Sequence, residues 1–101
     1  MKEAMMDIDW RTVQFFLDDD GVAEVSIDHD THTKAKCSCL TFQRSARCGH
    51  VKYVKSAQKE NDGHYQIEIP MDISDEEAIL AMTNGETFRE FVLKYGKVLI
   101  L

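Results

Sequence analysis

CSCLTFQRSARCGH, residues 37–50, holds all three cysteines of the 101-residue chain and ends on a histidine. Three cysteines cannot all be satisfied by pairing with one another. Their spacing is C-x-C, eight residues, then C-x-H. Thiolate sulfur and imidazole nitrogen are the donors structural zinc prefers, and four of them complete a tetrahedron. Cys37, Cys39, Cys48 and His50 are therefore read as the ligands of one zinc ion per chain. Such a closed set leaves no position for a catalytic water, so no enzyme is expected. The first pair suits a strand end or tight turn. The second can converge where Gly49 lets the backbone tighten before a helix. A metal closing this loop adds local rigidity to a modest core.

Upstream, RTVQFFL (11–17) alternates Val13, Phe15 and Leu17, and VAEVSI (22–27) alternates Ala23, Val25 and Ile27. Both patterns predict strands. DDDG (18–21) between them predicts a turn in which Gly21 takes a positive φ. Its acidic triplet lacks the alternate-residue spacing and distal glutamate of a calcium loop. THTKAK (31–36) predicts a third strand leading into the cysteines. Downstream, Val51, Val54 and Ala57 recur at helical spacing, which predicts a helix over 50–59 stopped by NDG, with Gly63 in the position glycine favours. HYQIEIP (64–70) alternates Tyr65, Ile67 and Ile69 and predicts a half-buried strand. Ser74, followed by Asp75, Glu76 and Glu77, is a capping box opening a helix over 75–82 that stops at TNG. Phe88, Phe91, Val92 and Tyr95 make the core-facing stripe of a second helix ended by Gly96. KVLIL (97–101) predicts a buried closing strand. The fold class is α+β: a hairpin or meander, a zinc knuckle and short helix, then a strand, two helices and a closing strand. One domain spans 1–101, with a zinc module over about 10–60 and an extension over 61–101.

The order of hairpin, C-x-C, spacer, C-x-H and apolar-patterned helix resembles the SWIM-type zinc finger. The likeness covers residues 10–57, from RTVQFFLDDDGVAEVSI to HVKYVKSA. It implies that Cys37, Cys39, Cys48 and His50 are the zinc ligands. It also implies a module that binds DNA or a protein partner. The CDGSH-type iron–sulfur family shares the C-x-C and the eight-residue spacer. That family has its histidine at the position of Lys52, and its serine or threonine, proline and aspartate at Phe42, Ala46 and Gly49.

The net charge of −6 argues against nucleic-acid binding until its distribution is considered. From residue 31 to residue 59 there is no acidic residue, and Lys34, Lys36, Arg44, Arg47, Lys52, Lys55 and Lys59 give that stretch a charge of +7, which leaves −13 on the rest. One or two cations suffice to stabilise thiolates. A basic loop beside a basic helix face is an electrostatic footprint for phosphates, with DNA ahead of RNA. An acidic protein partner, or neutralisation of the island by the acidic stretch SDEE (74–77), fits the same charges. Asp28, Asp30 and His32 share a face if the strand continues and form a second metal candidate. His64 is read as a surface residue. No glycine-rich phosphate loop and no Ser-His-acid arrangement can be placed. The start MKEAMMDIDW lacks a signal-peptide apolar run, and no stretch reaches membrane-spanning length. An intracellular, reducing compartment, cytoplasmic or nuclear, is the expectation.

Overall fold

The computed structural model describes residues 8–19 and 21–100. Readings that fall on residues 1–7, on Asp20 in the turn and on Leu101 in the closing strand lie outside them. In chain order the elements are β1 (Trp10–Asp18), β2 (Gly21–Asp28), β3 (Ala35–Cys37), α1 (Leu40–Ser45), α2 (Gly49–Glu60), α3 (Asp75–Ala81), α4 (Gly85–Tyr95) and β4 (Leu99–Ile100). The four strands form one mixed sheet in the order β3-β2-β1-β4. β1, β2 and β3 run antiparallel, whereas β4 joins the other edge of β1 in parallel. The α+β class is thus as the sequence predicts.

The hairpin turns where the aspartates and glycine demand it, with Gly21 at φ 115°. Strict alternation along β1 does not survive. The register shifts between Thr12 and Gln14, so the strand changes phase at a β-bulge around Val13. Phe16, not Phe15, then joins Val13, Ala23, Val25, Ile27, Cys37 and Val54 in the core. Phe15 is buried on the opposite face, where the Arg89 guanidinium lies 5.9 Å from its ring centroid. Leu17, which the alternation places with Val13 and Phe15, is 46% exposed. The bulge also places Gln14 where its side chain donates to the backbone carbonyls of Phe15 and Lys97 and accepts from the Tyr65 hydroxyl. A buried amide between the sheet and the extension is thereby satisfied. Burial raises the Tyr65 phenol to about 12.

α2 packs its Val54 side against β2 and β3 and supplies the core from above the sheet. It closes as predicted, with Asp62 and Gly63 both at positive φ and the Gly63 N–H donating to the Gln58 carbonyl. The segment 64–70 is not a strand. Its alternation packs Tyr65 and Ile67 against the core without a ladder. A single backbone bond, from the Lys97 N–H to the Glu68 carbonyl, ties it to the closing segment. Among the described residues the closing strand holds Leu99, half-buried, and Ile100, 83% exposed.

Ser74 caps α3 by accepting from the Glu77 N–H. The Glu77 carboxylate does not complete a capping box; it accepts from the Tyr95 hydroxyl and pairs with Lys94. The reciprocal box lies instead at the start of α4, between Asn84 and Thr87. TNG thus opens a helix as well as ending one. Gly85 lets that helix approach β1, since a Cβ there would lie 2.8 Å from the Trp10 carbonyl oxygen. Val92 is buried, and Phe88 packs against the core. Gly96 ends α4 in an extended conformation, not a left-handed one.

Candidate metal centre

β3 ends on Cys37, which is buried among core residues. The chain then turns through Ser38 into α1, a helix without a periodic signal in the sequence. Cys39 is the N-cap of α1, and its Sγ accepts from the Phe42 N–H at 3.4 Å. Cys48 repeats the arrangement at the start of α2, accepting from the Val51 N–H at 3.4 Å. Sulfur replaces the usual cap oxygen in both. A thiolate fits such a position, because an N–H that the helix leaves unpaired and the positive end of the helix favour negative charge there. Between these caps the tight bend falls on Ala46, at φ 59°, and not on Gly49, which is an ordinary first residue of α2.

His50 follows one residue into α2 and is buried against Phe16, with ring centroids 4.9 Å apart. Its Nδ1 lies 3.6 Å from Cys37 Sγ. Zinc held at about 2.3 Å from sulfur and about 2.05 Å from nitrogen, with tetrahedral angles, puts those two donors about 3.6 Å apart. The donor atoms of Cys37, Cys39, Cys48 and His50 all lie within 4.8 Å of one another. The four residues are placed so that they could hold one metal ion. Among the described residues they form the one group of histidine, cysteine and acidic side chains that can hold a metal.

The other face of the His50 ring matters as much. Nε2 lies 3.0 Å from Asp18 Oδ2. A carboxylate there keeps the proton on Nε2 and leaves the Nδ1 lone pair for a metal. Asp18 was read only as part of an acidic turn. Its sign in the sequence is faint: the strand must end on an acid within reach of the knuckle, and only the fold brings them together.

The thiols are not equivalent. Burial pushes Cys37 up to about 12. Burial acts on Cys39 too, but the Phe42 N–H and the neighbouring His50, Cys37 and Cys48 side chains outweigh it and bring the thiol down to about 7. Of these two thiols, Cys39 gives up its proton more readily than Cys37.

Asp28, Asp30 and His32 do not assemble a second site. Both Asp28 oxygens are taken by the Thr31 hydroxyl, and they also accept from the backbone N–H groups of Thr31, Thr33 and Lys34. Those bonds, Thr31 and Lys34 N–H foremost, hold the carboxyl far below the usual range. They also explain why the third strand starts at Ala35 and not at Thr31. His64 is exposed, but it is not isolated: its ring meets that of His32 edge-on at 5.3 Å.

The basic island divides. Arg44, Arg47, Lys52, Lys55 and Lys59 lie exposed along α1, the knuckle loop and α2, with Lys34 exposed on the preceding turn. Arg47 and Lys52 flank one shallow depression beside Cys48. Lys55 bonds the Thr33 carbonyl. Lys36 stands apart on the opposite sheet face, its Nζ 4.8 Å from the Trp10 ring centroid. Among the described residues no island cation forms an ion pair, and α3 packs only on α4. The acidic stretch 74–77 therefore does not neutralise the island within the chain.

Comparison of the chain with protein-family models, with curated proteins and with solved structures finds no match. No helix among the described residues is long and apolar enough to cross a membrane. What the site defines is a Cys3His cluster that can hold one metal ion.

Proposed function

We propose that the protein is a non-enzymatic zinc-binding module of the SWIM type that binds nucleic acid, DNA in preference to RNA, through the basic face beside the metal. The observation that carries the metal reading is the convergence of three sulfurs and His50 Nδ1, with two of the sulfurs capping helices and Asp18 behind the histidine. Three thiolates, one imidazole and a filled tetrahedron are the donor set of a structural ion. The order hairpin, cysteine pair, spacer, Cys-x-His and helix supports the SWIM assignment. The nucleic-acid reading rests on Arg44, Arg47, Lys52, Lys55 and Lys59, which are exposed and free of carboxylate partners among the described residues.

Elemental analysis of purified protein tests the metal: zinc near one per chain is expected, and iron with visible absorption would favour the CDGSH-like alternative. Mixed-sequence duplex DNA tests the partner. Replacing Arg44, Arg47, Lys52 and Lys55 by glutamine should leave zinc content intact. It should also reduce the salt slope of log K by about 3–4, as the loss of four phosphate contacts requires. No binding by the wild type at low salt overturns the nucleic-acid reading. The same uncompensated cations support a second reading, an acidic protein partner lost on the same four substitutions.

A further inference from the structure

The sheet has a second face. β1, β2 and β3 turn Thr12, Ser26 and Lys36 to the side away from α2 in one cross-strand row, since Thr12 pairs with Ser26 and Ser26 with Lys36. Glu24 and Trp10 stand on the same side, two residues along their strands. The start of α4 walls this floor on one side with Gly85, Glu86 and Arg89, and the knuckle walls it on the other with Ser38 and Gln43. The result is an open cleft of about 850 Å³.

Trp10 is the chain's only tryptophan, and it lies half-buried at this cleft instead of in the core. One face of its indole meets the Lys36 ammonium. Around it lie groups that donate and accept: the hydroxyls of Thr12 and Ser26, which are 3.3 Å apart, the Gln43 amide, and Glu24. Glu24 is fixed by Arg89 through bonds of 2.8 and 3.1 Å and by the Thr12 hydroxyl. A planar aromatic platform, polar groups beside it and a neighbouring cation match a nucleobase with its phosphate. A duplex cannot present a base this way, because its bases are stacked inside. Gln43 reaches the cleft from α1, and the next residue, Arg44, is on the exposed basic surface.

We propose that the Trp10 cleft is a base-binding subsite for single-stranded nucleic acid: an unstacked base lies on the indole, Thr12, Ser26, Gln43 and Glu24 meet its edge, and Lys36 takes the adjoining phosphate. This deepens the nucleic-acid reading above and rests on it. The subsite adds a preference for single strands that basic charge alone does not supply.

The single tryptophan makes the test direct. Zinc-loaded full-length protein is titrated with a short deoxythymidine oligonucleotide and with a duplex of equal length. Tryptophan emission reports the cleft, and the anisotropy of labelled oligonucleotide reports binding. The single strand is expected to quench emission saturably, and the duplex is not. Trp10→Ala should weaken single-strand binding about tenfold, the scale of one lost stacking contact, with duplex binding and zinc content unchanged. Trp10→Phe should restore most of it. If Trp10→Ala does not fold, Lys36→Gln and wild-type quenching decide. Single-strand binding without quenching, or unchanged in Trp10→Ala, overturns the subsite. The basic-face reading stands in that case if the four-glutamine variant loses binding. Quenching by the single strand with no duplex binding supports the subsite and removes the basic face instead. Absence of binding by either strand form overturns both.

Discussion

Asp18 touches no metal, yet its replacement should be read out in metal affinity. Its Oδ2 is 3.0 Å from His50 Nε2, with the His50 side chain 9% exposed and that of Asp18 25% exposed. The pair is thus sheltered on the histidine side and open to partial screening on the other. Loss of a carboxylate behind a ligating histidine costs roughly 10- to 100-fold in metal affinity, or about 1.4–2.7 kcal/mol. Asp18→Asn keeps an oxygen that can accept from Nε2–H but loses the charge, so it belongs at the lower end. Asp18→Ala leaves the buried N–H unpaired and belongs at the upper end. Competition for zinc against a chromophoric chelator measures both, with the exposed Asp19→Ala as control. Melting temperatures with and without metal complete the assay. The reasoning is refuted if Asp18→Ala binds zinc as tightly as wild type. It is equally refuted if that variant lowers the melting temperature by the same amount in metal-free and loaded protein.

Cys48→Ser should bind no stoichiometric zinc and melt lower when metal is supplied, because it removes a thiolate ligand while its hydroxyl still caps α2; retention of one zinc per chain by elemental analysis would sink the ligand assignment. Gly85→Ala should cost about 1–3 kcal/mol, since its Cβ would meet the Trp10 carbonyl at 2.8 Å; a denaturant midpoint equal to wild type would show that α4 moves aside freely. Asp28 is held below its ordinary 3.8 in the folded state, so its stabilising effect is complete above that value and fades as pH falls through the lower folded one. Asp28→Asn should flatten the acid limb of stability against pH, only in part because Asp9 and Glu24 are lowered too; an unchanged slope between pH 4 and pH 2, measured by urea unfolding, would be the contrary result.

The Cys3His cluster is legible in the spacing of Cys37, Cys39, Cys48 and His50, because donor chemistry and short-range spacing are both local properties. The hairpin, α2, α3 and α4 were legible for the same reason, through turn residues, helical periodicity and caps. The faces of β1 were not. A one-residue bulge reverses every side chain beyond it, and nothing in RTVQFFL marks Val13 as the extra residue. Residues 64–70 show the converse limit: alternation reports which side chains are buried, not whether the backbone has a partner. α1 was hidden because its cap is a cysteine, which is not among the residues that usually announce a helix start. Asp18 was out of reach because its partner lies 32 residues away.

The spacer between the two ligand pairs has a further consequence. α1 buries none of its six residues, and Phe42 alone leans on the core. One member of each Cys/His pair is fixed from outside that helix, Cys37 by β3 and His50 by α2 and the hairpin tip, while Cys39 caps its first turn. Apart from Phe42 and Ala46, the positions from residue 40 to residue 47 are exposed and therefore only loosely coupled to the cluster and to folding, as in any exposed connection. Exposed residues such as Gln43, Arg44 and Arg47 can be exchanged without touching the Cys3His cluster. Metal retention and surface chemistry can diverge independently in this scaffold, so a library randomised over that one stretch would sample new binding surfaces on an unchanged frame.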